Sequence, residues 1–192
     1  GMSAESGIAT FRDALTGLWS RFDPAQLASE DGFRADPQNV WDWYAERREG
    51  VRRAQPNAGH RALGAFAARR PGVLPLVTQT VDDLHQRAGN ADAIRLHGDI
   101  LRDRWLEPCT GRPACDPAAA RPGRPPRCVE CGGPVRPGVV WFGEMLPEGA
   151  IEAAQRAAAR CELMLVVGTS GAVWPAAGLA GPTGRGAVVA GL

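Results

Sequence analysis

Four of the five cysteines lie close together, between positions 109 and 131. Cys128 and Cys131 form a CxxC pair that two glycines follow, and Cys109 and Cys115 lie upstream with five residues between them. Four thiolates in a loop-rich segment suit a tetrahedral structural zinc ion, although the upstream spacing is wider than zinc sites usually have. A redox CxxC pair is the alternative. We predict one zinc ion bound by these four cysteines, and we expect Cys161 to be a small core residue.

His97 is a candidate general base. It comes at the end of a candidate strand and precedes Gly98, and an imidazole in such a place can take a proton near neutral pH. A structural role is the alternative, and we expect that role for His60 because it lies inside a predicted helix. Two other polar clusters also follow apolar runs, at residues 79–82 and 168–170.

Strands and helices alternate along the chain, which indicates an α/β fold with a parallel sheet. We predict helices at 36–51, 57–70, 81–87 and 147–160. We predict strands at 73–78, 94–97, 163–167 and 187–190, of which 163–167 is the clearest buried strand. Ligands of such sheets bind at the carboxyl ends of the strands, so the three polar clusters should converge on one site.

The helix predicted at 36–51 has a clear beginning, with Asp36 as its cap and Pro37 at the favoured first position. Four residues at helical spacing share one of its faces: Val40, Tyr44, Arg47 and Val51. Asn57 can cap the next helix, which Pro71 and Gly72 end.

The chain has 192 residues, 44% of them apolar, which fits one domain or one domain with a small insert. Its net charge of +1 argues against a nucleic-acid or membrane surface that works by bulk charge. No apolar run could span a membrane and the first residues lack a signal-peptide pattern, so we expect a cytoplasmic protein. Residues 107–137 are rich in proline, glycine, arginine and cysteine, and such an insert needs a bound metal or a cross-link to be ordered.

Small residues crowd the first twelve positions, where a backbone could approach a dinucleotide phosphate closely. The pattern is not a full glycine fingerprint, because only Gly1 and Gly7 are present. A flexible terminus is the alternative.

Six motifs, in order and spread over nearly the whole chain, resemble those of the sirtuins, a family of NAD-dependent protein-lysine deacylases. They are GMSAESGI at 1–8, TQTVDDLH at 78–85, LHG at 96–98, the CxxC pair, RPGVVWFGE at 136–144 and VVGTS at 166–170. The resemblance implies a Rossmann-like parallel sheet, incomplete here, with a small zinc-binding and helical domain. It places the NAD-binding domain at 1–35, 71–103 and 138–192, the helical module at 36–70 and the zinc module at 104–137.

The resemblance also implies a reaction. The acyl-lysine carbonyl oxygen attacks the nicotinamide-bearing ribose carbon and nicotinamide leaves. His97 then draws a proton from a ribose hydroxyl, which attacks the acyl group and gives deacylated lysine and O-acyl-ADP-ribose. NAD and structural zinc are the implied cofactors, and acylated-lysine proteins or peptides are the implied partners. The oligomeric state stays open.

Contacts to both ligands are implied as well. NAD would lie against Gly1, Ser3, Ala4, Glu5, Phe11, Arg12, Gln79, Thr80, Asp82, Gly168, Thr169 and Ser170. The substrate peptide would pair as an added strand with Val140, Trp141, Phe142, Gly143 and Glu144.

Tyr44 and Arg47 resemble the pair found in the sirtuin branch that removes succinyl- and malonyl-type groups. They lie three residues apart and so share a helix face, where Arg47 can bind a carboxylate with two hydrogen bonds. The alternative is an amphipathic helix with ordinary surface arginines, which is what we expect of Arg48.

The chain departs from the family at three positions: Thr80 stands where Asn is usual, Ala9 where Pro is usual, and Trp105 where many members have their first zinc cysteine. The family's first strand and last segments have no counterpart, so we expect weak NAD binding and slow turnover. A non-catalytic relic that binds NAD or acyl-lysine is therefore an alternative. A zinc-knuckle module that binds nucleic acid is a further one, against which the near-neutral charge argues.

Overall fold

The computed structural model describes residues 1–10, 23–108, 116–181 and 188–191. The chain divides into two compact units. Unit 1 comprises Gly1–Thr10, Ala54–His97 and Met145–Leu192, and unit 2 comprises Phe11–Arg53 and Gly98–Glu144. The domain boundaries predicted from the resemblance stay a prediction. Within the part of the chain that the structure describes, no helix has the length and apolar character needed to cross a membrane.

The described residues contain six α-helices and six strands. The helices are α1 (Pro24–Leu27), α2 (Glu30–Ala35), α3 (Pro37–Arg53), α4 (Ala58–Arg69), α5 (Leu84–Arg87) and α6 (Glu148–Arg160). The strands are β1 (Val77–Thr78), β2 (Ile94–Arg95), β3 (Gly98–Trp105), β4 (Val135–Val139), β5 (Leu163–Val166) and β6 (Val188–Gly191). Short 3-10 helices occur at Met2–Ser6, Pro117–Ala119 and Ala176–Ala180.

The strands of unit 1 pair in parallel, as the alternating pattern predicts. β1 pairs with β2 and β5 pairs with β6, with Val77 opposite Ile94 and Leu163 opposite Val188. Leu96, Ala154 and Ala176 form a buried cluster, against which residues of the strands and of α6 pack. The α/β fold with parallel strands is therefore confirmed.

α4 begins where its cap predicts. The Asn57 side chain accepts a hydrogen bond from the His60 N–H at 3.2 Å, and the Asn57 N–H donates to His60 Nδ1 at 3.3 Å. This reciprocal capping box satisfies two backbone donors at the start of the helix. His60 is fully buried and has a structural role here, as predicted.

Three strand predictions are wrong in part. The strand predicted at 94–97 is limited to Ile94–Arg95. The strand predicted at 73–78 is limited to Val77–Thr78, and Val73 is 61% exposed in the turn that follows α4. The strand at 163–167 is present but is not buried, because Leu163 and Leu165 are 55% and 48% exposed. Side chains alternate between the two faces of a strand, and β5 keeps the face of these two leucines open to solvent.

Unit 2 combines α3 with the antiparallel pair β3 and β4. Val40, Tyr44 and Val51 are buried on the predicted face of α3. The expectation for Arg48 is wrong, because its side chain is buried rather than on the surface. The Arg48 guanidinium donates to the carbonyl oxygens of Ile100 at 2.6 Å and Arg102 at 3.2 Å, and it pairs with Asp103.

The reason for the burial of Arg48 is a bulge in β3. The register between β3 and β4 shifts between Asp99 and Asp103, so the strand between them is out of line with its partner. Buried carbonyl oxygens need donors, and the guanidinium of Arg48 supplies them at Ile100 and Arg102.

Candidate active site

The three polar clusters that follow strands of unit 1 meet at Gln79. The Gln79 carbonyl oxygen lies 3.0 Å from His97 Nδ1, and the Gln79 side-chain amide donates to Thr169 Oγ1 at 3.2 Å. Gln79 follows β1, His97 follows β2, and Thr169 follows β5. β1 and β2 form one two-stranded parallel sheet and β5 belongs to another, and the loops after these strands meet at Gln79.

His97 is held as a neutral base with a defined tautomer. A carbonyl oxygen can only accept, so Nδ1 carries the proton in the bond to Gln79 and Nε2 has the lone pair. Burial lowers the pKa of His97, and the hydrogen bond to Gln79 opposes that shift only in part. The imidazole is therefore neutral at pH 7, and Nε2 can take up a proton.

The loop at 80–82 is anchored by its surroundings. Asp82 is buried, and its carboxylate accepts the Leu84 N–H at 3.0 Å at the start of α5. The Arg95 guanidinium donates to the carbonyl oxygens of Val81 and Asp82 at 2.9 and 2.8 Å. A role for Arg95 was not predicted. Arg95 is a charged residue inside the short strand β2, which pairs with β1, and this position could have indicated that its side chain holds the loop after β1.

Thr80 turns back towards the end of β1. Its hydroxyl lies 2.9 Å from Thr78 Oγ1, which also accepts the Thr80 N–H at 3.1 Å. The hydroxyl contact occupies the short Thr80 side chain locally, and the backbone contact fixes the turn. An Asn side chain would reach further and would offer both an acceptor and two donors.

The N-terminal segment is ordered against the loop after β5. Met2–Ser6 forms a 3-10 turn that ends at Gly7 with φ of 80°, and the Asn57 amide donates to the Met2 carbonyl oxygen at 2.9 Å. Gly168 has φ of 60°, and a Cβ there would lie 2.7 Å from the Met2 nitrogen. The close approach of two backbones therefore requires glycine at 168.

Most of the residues predicted to bind NAD thus gather in unit 1. Gly1, Ala4, Glu5, Gly168, Thr169 and Ser170 are exposed, Gln79 and Thr80 are half-buried, and Ser3 and Asp82 are buried. Phe11 and Arg12 lie outside the described residues. These residues supply small side chains, backbone groups and a buried carboxylate in the unit that also contains His97.

The pair predicted to select the acyl group lies in unit 2. Tyr44 is buried, and its hydroxyl accepts a hydrogen bond from Trp141 Nε1 at 3.0 Å. Arg47 is half-buried, with its guanidinium carbon 4.6 Å from the centre of the Trp43 ring. Burial raises the pKa of Tyr44 to about 12 and lowers the pKa of Arg47. The pair presents a protonated phenol and a partly desolvated cation.

Residues 140–144 form a turn after β4. The Trp141 N–H donates to the Glu144 carboxylate at 2.7 Å, and the Phe142 N–H donates to the Ala28 carbonyl oxygen at 2.9 Å. Gly143 has φ of 86°, which a turn requires and an extended strand does not. The pairing of a substrate peptide with Val140, Trp141, Phe142, Gly143 and Glu144 stays a prediction.

Arg136 shapes this turn, a role that the sequence did not reveal. Its side chain is 1% exposed, donates to the Val139 carbonyl oxygen at 2.7 Å and forms an ion pair with Glu144. Arg104 also pairs with Glu144, at 2.6 Å. Burial raises the pKa of Glu144, but the hydrogen bonds from Arg136 and the Trp141 N–H and the charges of Arg136 and Arg104 together outweigh it, and the pKa is lowered overall. In the sequence, only the position of Arg136 at the start of the RPGVVWFGE motif could have indicated this role.

The CxxC pair lies in a turn that directs backbone N–H groups at both sulfurs. The Glu130 N–H points to Cys128 Sγ and the Gly133 N–H to Cys131 Sγ, each at 3.4 Å. Hydrogen bonds of this kind favour the thiolate, which is the form that binds zinc. Cys109 and Cys115 lie outside the described residues, and within the described ranges no group of three or more candidate ligands occurs. The pair fits one half of a four-cysteine site.

These features define an α/β protein with a nucleotide-type site at the ends of parallel strands. Residues 1–175 match the family model described as "Sir2 family". An NAD-dependent protein deacylase of Ralstonia nicotianae is 58% identical over 181 residues, which are 94% of this chain and 72% of that protein. The chain belongs to the Sir2 family.

Solved structures agree. The crystal structure of a Sir2 homologue in complex with NAD superposes with a TM-score of 0.83 at 42% identity, covering 99% of this chain and 73% of the other. A Sir2 protein bound to an acetylated peptide superposes with a TM-score of 0.78 at 28% identity, covering 98% and 76%. The Rossmann-like architecture expected from the resemblance is therefore confirmed.

Proposed function

We propose that this protein is an NAD-dependent protein-lysine deacylase that removes succinyl- and malonyl-type groups, and also acetyl groups. The observation that carries the proposal is the position of Gln79, which joins His97 to Thr169. It places a neutral base with a defined tautomer beside the loops that in this fold class bind a nucleotide. The names of the relatives and the ligands of the solved structures support NAD-dependent deacylation, and the preference for acidic acyl groups rests on Tyr44 and Arg47.

His97 supplies the proton transfer. When bound, NAD would supply the electrophilic ribose carbon for the acyl oxygen, and nicotinamide would be the leaving group. His97 Nε2 takes the proton from a ribose hydroxyl, whose oxygen then forms a bond to the acyl carbon. The Gln79 carbonyl stabilises the imidazolium that results, because it accepts the Nδ1 proton. The bond between the acyl carbon and the lysine nitrogen would then break, with the amine taking up a proton, and one water molecule would be consumed. Deacylated lysine and O-acyl-ADP-ribose would be the products.

Other residues of unit 1 would bind NAD. Gly1, Ser3, Ala4, Glu5, Gln79, Thr80, Asp82, Gly168, Thr169 and Ser170 would contact it, together with Phe11 and Arg12. Gly168 suits the pyrophosphate region because its backbone already makes a close approach to the N-terminal turn. Asp82 is buried, so its carboxylate is fixed before the nucleotide binds.

Tyr44 and Arg47 would recognise the far end of an acidic acyl chain. A guanidinium with part of its hydration removed gains more from a carboxylate than an exposed one does, since the local dielectric is lower. Tyr44 can donate a further hydrogen bond. A structural zinc ion bound by Cys109, Cys115, Cys128 and Cys131 would order the insert without taking part in the reaction.

The test is a product assay. Protein is incubated with NAD and a succinyl-lysine peptide, and nicotinamide, deacylated peptide and succinyl-ADP-ribose are quantified by mass spectrometry. The proposal predicts equal amounts of the three products, and none of them without either NAD or the acyl group. An acetyl-lysine peptide should be processed more slowly.

Binding of NAD and acyl peptide without any product would favour the non-catalytic alternative. One observation favours the non-catalytic alternative. The Thr80 hydroxyl contacts Thr78, whereas an Asn amide at this position would reach further. The Thr80→Asn variant separates the two outcomes, because it restores activity only if the catalytic residues are otherwise intact.

A further inference from the structure

The hydroxyl of Tyr44 has a defined hydrogen-bond donor. Trp141 Nε1 lies 3.0 Å from it, and both residues are buried within unit 2. An indole nitrogen can only donate, so the Tyr44 oxygen is the acceptor. The bond occupies an acceptor position of the hydroxyl, and the phenol proton is left to point elsewhere.

The indole of Trp141 is itself held by its neighbours. The Arg136 guanidinium carbon lies 3.2 Å from the centre of the ring, and the Phe33 ring packs 5.3 Å away at an angle of 39°. The Trp141 N–H donates to the Glu144 carboxylate, which Arg136 also binds. Contacts to both the ring and the backbone fix the direction of the indole N–H before any ligand arrives.

We propose that Trp141 is a positioning residue for acyl selectivity, because its indole N–H turns the Tyr44 hydroxyl so that the phenol donates its proton to an acyl-chain carboxylate. The proposal rests on the proposed function of Tyr44 and Arg47. It gives the Trp141 side chain a role beyond the backbone pairing expected of residues 140–144. An acetyl group has no carboxylate, so the role is specific to acidic acyl chains.

The chemistry of the three groups is complementary. A carboxylate only accepts hydrogen bonds, a guanidinium only donates, and a phenol does either. With its acceptor position occupied by Trp141, Tyr44 becomes a donor, as a carboxylate requires. A phenol is protonated through the neutral range, and burial extends that range because it raises the pKa of Tyr44 to about 12.

A double-mutant cycle tests the proposal. kcat/KM for succinyl- and acetyl-lysine peptides is measured in wild-type protein, Trp141→Phe, Tyr44→Phe and the double variant. We expect Trp141→Phe to lower the succinyl-to-acetyl ratio by roughly three- to tenfold, mainly through KM, which is the size of one hydrogen bond between neutral groups such as the indole and the phenol. The double variant should be no worse than Tyr44→Phe alone, because Trp141 acts through the hydroxyl.

Trp41→Phe is the matched control. It removes another indole from unit 2, whose ring lies 5.0 Å from the Arg48 guanidinium carbon. Its succinyl-to-acetyl ratio should equal that of wild type. Equal loss of both activities in Trp141→Phe, or the same fall in ratio with and without the Tyr44 hydroxyl, would overturn the proposal.

The outcomes separate the proposal from its premise. If Tyr44→Phe leaves the succinyl-to-acetyl ratio unchanged, the acyl preference assigned to Tyr44 is wrong. The role proposed for Trp141 is then wrong as well, because it depends on Tyr44. If Tyr44→Phe lowers the ratio and Trp141→Phe does not, only the role of Trp141 is wrong.

A second measurement needs no variant. The chain has one tyrosine, so 3-fluorotyrosine incorporation gives a single ¹⁹F signal, which comes from Tyr44. With NAD present, a succinyl-lysine peptide should move this signal and an acetyl-lysine peptide should leave it nearly in place. Equal movement with the two peptides would contradict donation of the phenol proton to the acyl carboxylate, whether or not Trp141→Phe folds.

Discussion

The two units present their candidate functional residues in opposite ways. In unit 1 these residues lie on loops after strands, most are exposed or half-buried, and backbone groups make many of the contacts. In unit 2 Tyr44, Trp141 and Arg136 are buried and contact one another through their side chains. The difference corresponds to two tasks. A reaction common to all acyl groups needs a placed base, whereas discrimination between acyl groups needs polar groups with their water removed.

The largest effect is expected at the base of unit 1. His97→Asn removes the group that accepts the ribose proton, so deacylation should fall about 10²- to 10⁴-fold with either acyl peptide. NAD binding by calorimetry and the circular dichroism spectrum should stay close to wild type. A loss of less than tenfold would mean that another residue is the base.

The pH profile sharpens the same assignment. The base must be neutral, so activity is present above the pKa of His97 and is lost as the pH falls through it. Burial lowers that pKa, so the acidic limb of kcat/KM should lie below the ordinary histidine value of about 6.5. An acidic limb above pH 7 would contradict the neutral, partly buried imidazole.

A change in unit 2 should affect one acyl class far more than the other. Arg47→Met leaves a succinyl carboxylate without its cation in a partly desolvated site, which costs several kcal/mol. Desuccinylation should therefore fall by roughly two orders of magnitude more than deacetylation, at about 1.4 kcal/mol per tenfold. Steady-state kinetics with the two peptides measure it.

Arg52→Met is the matched control for Arg47→Met. Arg52 lies on the same helix, is exposed and pairs with Glu49. Its removal should change neither activity by more than about twofold, since exposed ion pairs contribute little. If the Arg47 and Arg52 variants behave alike, Arg47 is an ordinary helix arginine.

The sequence predicted the long helices better than the strands. α3 and α4 lie within two residues of their predicted bounds because capping residues and helical spacing are local signals. The strand lengths and the exposure of Leu163 and Leu165 depend on which segments pair, and a local pattern does not contain that. For the same reason the role of Arg48 at the bulge of β3 was missed, since its acceptors lie more than fifty residues away.

The site shows the same division. The order of strands and polar clusters was enough to predict that residues 79–82, 97 and 168–170 would meet, because ligand sites follow strand ends. It did not predict that Gln79 joins His97 to Thr169, nor that Arg95 and Arg136 hold two of the loops. Those contacts depend on side-chain directions that only the packed structure fixes.

A smaller gain is expected from Thr80→Asn in unit 1. The Thr80 hydroxyl contacts Thr78, whereas an amide could reach a polar group of the nucleotide and satisfy it, which is worth about 1–3 kcal/mol. We expect kcat/KM for NAD to rise by roughly five- to tenfold. Thr80→Val, which has the same shape without the hydroxyl, should give no such rise, and an equal gain in the two variants would refute the explanation.

The smallest effect concerns the stability of unit 1 in acid. The rings of His60 and His85 are buried 4.7 Å apart, and burial lowers the pKa of both, although the charge of Asp82 opposes the shift. Arg61 and Arg87 disfavour protonation of His60 further. The unfolded chain binds protons below about pH 6.5 that the folded pair rejects, so this stabilisation is full above that pH and is lost as the pH falls.

Thermal denaturation at pH 7.5 and 5.5 measures this effect. Tm should fall by roughly 2–4 °C or more across that interval, which corresponds to about one kcal/mol in a chain of this size. His60→Gln should make the fall smaller. A Tm that is flat with pH in wild type would show that the pair is not a source of acid sensitivity.

The measurement that tests the account most directly is the succinyl-to-acetyl ratio of kcat/KM in three proteins: wild type, Thr80→Asn and Arg47→Met. The account assigns the common chemistry to unit 1 and the acyl preference to unit 2. It predicts that Thr80→Asn raises both activities together and leaves the ratio unchanged, and that Arg47→Met lowers the ratio by roughly two orders of magnitude. A ratio that changes with Thr80 or survives the loss of Arg47 would contradict that assignment.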